Sequence, residues 1–226
     1  MTLITGANKG LGYETARQLI QRGHSVYLGA RNVERGEAAA SELGAQFVQL
    51  ELTDDASVES ALDVIAGREG HLDVLVNNAG ISTTADVTGP VALSVFDTNA
   101  VGLIRVTQAA LPLLVQSENP VVVNVSSALG SFWAVTNPER RQFHFPSIIY
   151  GASKAAVSML TVQYAKSFPD IKFNAVEPGF TATELTPFSG AGQPVEDGAQ
   201  VIVRMATIGK DGPTGTFQEG EGTLAW

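Results

Sequence analysis

The chain has no cysteine in its 226 residues. That removes disulfide scaffolds, thiolate zinc centres and cysteine nucleophiles, and it is what a reducing compartment permits. Basic residues are scarce too: 14 Lys and Arg face 23 Asp and Glu, a formal net charge of −9. Nucleic acid and anionic lipid repel such a chain unless a local basic patch outweighs the net field, so neither is expected as a partner. The three histidines, His24, His71 and His144, show no metal-ligand spacing, and no metal site is expected. Long apolar runs are also missing. The most apolar helical stretch, 100–115, carries Arg105 and Gln108 and falls short of the roughly 18 residues that span a bilayer. The chain opens on the strand-like Thr2-Leu3-Ile4-Thr5 rather than on a basic segment followed by an apolar one. No secretory leader is therefore expected, and a cytoplasmic location is.

What is present reads as a globular α/β protein, 44% hydrophobic and 16% charged. Short, nearly continuous runs of Val, Ile, Leu and Phe recur at 2–5, 25–28, 46–50, 72–76, 121–125 and 172–176. Runs of this kind belong to strands buried on both faces, the condition of a parallel sheet covered by helices. Helical spacing fills the intervals at 12–22, 33–43, 56–67, 91–116 and 147–168, with Pro112 expected to kink or break the fourth near its end. The alternation predicts one α/β domain over 1–226, built on a single doubly wound parallel sheet of Rossmann type with helices on both faces. Two long segments interrupt it, at 129–146 and 179–194. Both leave the carboxyl ends of strands, where ligands bind in open α/β sheets.

The first strand runs into Thr5-Gly6-Ala7-Asn8-Lys9-Gly10-Leu11-Gly12, within which a helix begins. Glycines here permit a tight turn, close approach of a pyrophosphate to backbone N–H groups and close packing of helix on strand. An ordinary βα turn is the alternative. The second strand ends Leu28-Gly29-Ala30-Arg31-Asn32 with no acid at its tip. An acid there would hold a ribose 2′-hydroxyl, whereas Arg31, with Lys9 opposite, suits a 2′-phosphate. The other reading of both cations is a solvated surface.

Tyr150-Gly151-Ala152-Ser153-Lys154 puts a phenol and an ammonium on one face of a helix. A nearby cation favours phenolate and lowers the Tyr pKa, which makes it a usable proton donor or acceptor. The fifth strand ends Asn124-Val125-Ser126-Ser127, presenting a hydroxyl at the edge of the sheet that can hydrogen-bond a carbonyl oxygen. The fourth ends Asn77-Asn78-Ala79-Gly80, and Asn99 lies on the helix that follows.

From the TGANKGLG turn through NNAG, DTNAVG, NVSS, YGASK and PGFTAT, nearly the whole chain resembles a short-chain dehydrogenase/reductase of the classical type. It is most similar to NADPH-dependent carbonyl reductases. The resemblance implies hydride transfer between NADP(H) and a ketone or aldehyde, reversibly an alcohol. Tyr150 would be the general acid, Lys154 would hold the nicotinamide ribose and lower the Tyr pKa, and Ser127 would orient the carbonyl. Asn99 would anchor a water through which Lys154 exchanges protons. Gly6, Asn8, Lys9, Gly10, Leu11, Gly12 and Arg31 would cradle the adenosine side, with Asn78, Ala79 and Gly80 along the adenine ribose. Pro178, Gly179, Thr181 and Thr183 would secure the nicotinamide. Glu51 and Leu52 stand where many members have Asp toward adenine. From Ser127 to Tyr150 is 23 positions, longer than the family's usual interval. The extra loop either packs its own aromatics or walls the substrate pocket through Trp133 and His144, together with Leu185 and Phe188. The family's usual dimer packs the Asn99 and Tyr150 helices, which an insertion could block, so a monomer or homodimer is expected. A non-catalytic NADP(H)-binding redox sensor is the rival reading, and the complete Asn99, Ser127, Tyr150, Lys154 set argues against it. Epimerase or dehydratase chemistry is disfavoured by the glycine spacing.

Overall fold

The structure, a computed structural model, describes residues 1–185 and 192–226. Its core is an eight-stranded sheet in the order β3-β2-β1-β4-β5-β6-β7-β8, parallel throughout except for the last pair. The strands are β1 (Thr2–Thr5), β2 (Val26–Ala30), β3 (Gln46–Gln49), β4 (Val74–Asn77), β5 (Val121–Val125), β6 (Lys172–Val176), β7 (Thr216–Glu219) and β8 (Gly222–Thr223). The helices are α1 (Gly10–Gln21), α2 (Val33–Leu43), α3 (Asp55–Glu69), α4 (Gly89–Phe96), α5 (Gly102–Leu114), α6 (Phe132–Thr136), α7 (Ile148–Ser167) and α8 (Val195–Ala206).

Alternate strand residues feed two cores. On β1, Leu3 joins Tyr27, Leu75, Val122 and Phe173 beneath α3, α5 and α7. Its neighbour Ile4 joins Leu28, Val76 and Val123 beneath α1, α2 and α8. Successive side chains of a strand point to opposite faces, so an unbroken apolar run is what a sheet with two covered faces requires. The helices stop where local chemistry stops them. Asn32 caps α2 by accepting from Arg35 N at 2.8 Å, and Gly44 ends it at φ 67°.

Several expectations are corrected. The expected helix at 91–116 is α4 and α5 joined by a π-helical turn at Asp97–Val101. Pro112 breaks nothing, because α5 continues through it to Leu114. β2 reaches Ala30, past the expected end at residue 28. The sequence reading also stops at the sixth strand, whereas the sheet continues into α8, β7 and β8, with Phe217 of β7 fully buried. Residues 129–146 are not featureless: they hold α6 and two 3-10 turns, Ala128–Gly130 and Arg141–His144.

Candidate active site

A cleft of about 1470 Å3 opens along the carboxyl ends of the strands, the position that strand order dictates for ligands in such sheets. Its floor at one end is the glycine turn. Gly6 has φ +64°, and a Cβ there would meet the Ala79 Cβ at 2.9 Å. At Gly12 a Cβ would meet Asn78 Nδ2 at 2.5 Å and Gly6 O at 2.7 Å. The turn therefore packs directly on the end of β4. Thr5 Oγ1 fixes that contact by accepting from both Asn78 N and Ala79 N at 3.0 Å. Lys9, at the N-cap of α1, makes no side-chain cap, so first-turn N–H groups remain for an anion.

Every residue expected on the cofactor path lines this one cleft: Gly6 to Gly12 apart from Ala7, Arg31, Glu51 and Leu52, Asn78 to Gly80, and Pro178, Gly179, Thr181 and Thr183. Lys9 is not a lone cation, since its ammonium donates to the Glu184 carboxylate across the cleft mouth. Arg31 makes no salt bridge among the described residues.

At the other end Ser127, Tyr150 and Lys154 share the wall. The Lys154 ammonium is buried, donates to Val125 O at 2.7 Å, and lies 5.7 Å from the centre of the Tyr150 ring. Burial lowers its pKa to about 8, with the Glu177 carboxylate pulling the other way. For Tyr150 the expected lowering is not what the site produces. Desolvation pushes the phenol well above its ordinary value, Glu177 pushes in the same direction, and only the neighbouring Ser127 hydroxyl opposes them.

Asn99 sits in the π-helical turn, where it is buried. Its Oδ1 accepts from Ile81 N at 2.8 Å, and its Nδ2 donates to Ile81 O at 2.9 Å and Ser153 Oγ at 3.0 Å. Next to it, a cavity of about 10 Å3 touches Asn99, Lys154, Asn77 and Val125, room for about one water. Below runs a fully buried amide chain: Asn77 Nδ2 donates to Thr107 Oγ1 at 3.0 Å and Asn124 Oδ1 at 2.9 Å, and Asn124 Nδ2 donates to Thr161 Oγ1 at 2.9 Å. These bonds tie β4, β5, α5 and α7 together beneath the site.

The substrate-side expectations divide. Leu185 lines the cleft, and Phe188 lies outside the described residues. Trp133 and His144 do not line it. Trp133 lies under the Arg140 guanidinium at 5.4 Å and donates its backbone N–H to Trp226 O at 3.0 Å, while His144 packs edge-on against Phe143 at 5.1 Å. Arg140, Arg141, Gln142 and Phe145 face the cleft instead. Arg140 is held by Glu219 at 2.6 Å, and Arg141 lies over the Phe180 ring at 5.6 Å. Sequence reasoning also missed Ser153 and Glu177. Ser153 is inside the YGASK segment, one residue before Lys154, and Glu177 is a charge closing an apolar strand, so both had a visible signal.

The family model for short chain dehydrogenase matches residues 1–193, so the chain belongs to the short-chain dehydrogenase family of oxidoreductases. Within that family it is 35% identical to the short-chain dehydrogenase anuI of Penicillium roqueforti, over 92% of this chain and 89% of that one. It is 32% identical to (-)-isopiperitenone reductase of Mentha piperita, over 99% and 97%. Among solved structures, NADPH-bound carbonyl reductase from chicken fatty liver superposes with a TM-score of 0.86 at 25% identity, over 100% of this chain and 98% of that one. Salutaridine reductase from Papaver somniferum gives 0.84 at 29% identity, over 96% and 98%. No helix among the described residues is long and apolar enough to cross a membrane, and no group of side chains there could hold a metal ion.

Proposed function

We propose that the protein is an NADPH-dependent reductase of a ketone or aldehyde, working reversibly on the corresponding alcohol. The observation that carries this reading is the convergence of Ser127, Tyr150 and Lys154 on one wall of a cleft whose far end is a tightly packed glycine turn. The cradle fits a dinucleotide: Gly6 and Gly12 let the turn pack tightly on Ala79 and Asn78, and the N-terminus of α1 carries no side-chain cap, which leaves its first N–H groups for a pyrophosphate. Gly6, Asn8, Gly10, Leu11 and Gly12 would hold the pyrophosphate side and Arg31 with Lys9 a 2′-phosphate. Glu51, Leu52, Asn78, Ala79 and Gly80 would line the adenosine, and Pro178, Gly179, Thr181 and Thr183 the nicotinamide. When bound, NADPH supplies the hydride.

The chain's own groups do the rest. Ser127 Oγ donates to the carbonyl oxygen and fixes its direction. Tyr150 gives its phenolic proton to that oxygen as charge develops, a role that a phenol kept protonated by burial can fill at neutral pH. Lys154 stays within reach of the phenol and the ribose. The cavity shared by Lys154 and Asn99 has room for a water that returns the proton from solvent. Leu185, Phe145 and Arg141 would meet the substrate. The decisive experiment follows NADPH and NADH absorbance with purified protein across a panel of aldehydes, ketones and quinones. Oxidation of NADPH by some carbonyl compound is expected. Absence of turnover with both cofactors across the panel would sink the enzyme reading.

A further inference from the structure

One buried titratable group takes no part in the chemistry above. Glu177 closes β6 immediately before Pro178-Gly179 and is only 8% exposed. Its backbone N–H donates to Gln218 O at 2.8 Å, which anchors it to β7. Its Oε1 accepts from Gly179 N at 3.0 Å and its Oε2 from Ala128 N. A single carboxylate thus straddles the loops after β5 and β6, the two loops that carry the carbonyl-binding hydroxyl and the nicotinamide turn.

Resting on the reductase reading, we propose that Glu177 is a positioning residue for carbonyl reduction, clamping the backbone beside Ser127 to the nicotinamide turn so that the Ser127 hydroxyl stays in place on the wall it shares with Tyr150 and Lys154. Burying a carboxylate is costly, and packing alone gives no reason to retain one here. Two features give it a use. The Ala128 N–H that it accepts belongs to the peptide following Ser127, so the bond fixes the backbone that carries the hydroxyl. Burial raises the Glu177 pKa while the two backbone N–H bonds oppose the rise, and in its ionised form the carboxylate favours ammonium at Lys154 and neutral phenol at Tyr150. Those are the states that donate a proton in the reductive direction. The other charged groups acting at this position are Arg140, from the inserted loop, and Glu219 of β7, which pair with each other, Glu219 adding to the rise in the Glu177 pKa.

The test uses Glu177→Gln in the full chain, with two readouts. Carbonyl kcat should fall by about tenfold to a hundredfold, while the KM for NADPH stays within about twofold because no cofactor contact is removed. In protein labelled at lysine Cε with carbon-13, the Lys154 resonance, assigned through Lys154→Arg, should titrate at lower pH than in the wild type. A clamp that merely braces the two loops would lower the melting temperature without moving that titration. Either a kcat within twofold of wild type or an unmoved Lys154 midpoint overturns the proposal. Should the Gln variant fail to fold, Glu177→Asp keeps the charge but is too short to reach both loops. It should leave the Lys154 midpoint near wild type and still lower kcat at least fivefold, and a kcat within twofold overturns the proposal. A wild type that turns over no carbonyl compound refutes the reductase reading itself, and the Lys154 titration then still shows whether Glu177 acts on the pair.

Discussion

The two ends of the cleft are built from different material. At the glycine turn the surfaces that meet are backbone: Gly6 and Gly12 lie so close to Ala79 and Asn78 that a single methyl group would not fit. At the inserted loop the surfaces are side chains facing solvent, with Phe145 56% exposed and Arg141 and Pro146 exposed beside it. A surface made of backbone has few ways to vary, whereas one made of exposed side chains can change with little cost to the fold. The glycine-turn end is thus closely constrained by the fold, and the inserted-loop end is not.

This contrast can be broken or sharpened by mutation. The largest effect is expected between the two ends, where Tyr150→Phe removes the proposed proton donor and should lower carbonyl turnover by about a thousandfold. Circular dichroism should show an unchanged fold, and residual turnover within tenfold of wild type would reassign the acid. At the cofactor end, Arg31→Asp should move the ratio of kcat/KM for NADPH over NADH by about tenfold to a hundredfold toward NADH, the worth of a hydrogen bond to a charged group. An unchanged ratio would mean that Arg31 is a solvated cation.

A third test concerns stability. Lys154 holds its pKa near 8 in the folded chain against an ordinary 10.5. Between these values the unfolded chain binds a proton that the native one does not, so wild-type stability rises with pH across that window. Below pH 8 the penalty for burying the ammonium is present in full. Lys154→Met lacks the penalty, so its stability relative to wild type should decline steadily from pH 8 to pH 10.5 in denaturant titrations. A pH-independent difference would contradict the lowered pKa. The smallest effects belong at the substrate end. Phe145→Ala, facing the cleft, should raise substrate KM several-fold, whereas Trp133→Ala should leave it within about twofold and lower thermal stability instead. The reverse order would restore Trp133 to the pocket.

The same contrast governs what could be read from residues alone. The six continuous apolar runs and the glycine turn are local patterns, and all six runs are strands of the sheet. Each residue assigned to the cofactor path lies on the cleft because strand ends and helix starts place it there. The inserted loop carries no periodicity, so its aromatics gave no way to tell a packed face from a pocket wall. That sorting depends on partners distant in sequence: Trp226 beside Trp133, and Glu219 beside Arg140. The direction of the Tyr150 shift was hidden for a similar reason. The Lys154 cation is visible four residues away, but the depth of burial and the Glu177 charge belong to the folded molecule. The helix α8 was legible and overlooked, since Glu196 and Asp197 open it and apolar residues recur on one face thereafter.

The π-helical turn at Asp97–Val101 bears on how this site tolerates changes in chain length. Such a turn contains one residue more than an α-helical turn, and each helical residue advances the chain by about 100°. The faces of α4 and α5 are therefore out of phase, and the extra residue is what lets Asn99 point at Ile81 and Ser153 while Leu103, Val106 and Ala110 keep to the core. Deleting one residue from 97–101 would restore a regular helix and swing either Asn99 or the apolar stripe of α5 out of register. The surplus residue behaves as a fixed spacer between the Asn99 hydrogen bonds and the core, so that neither can be re-phased without the other.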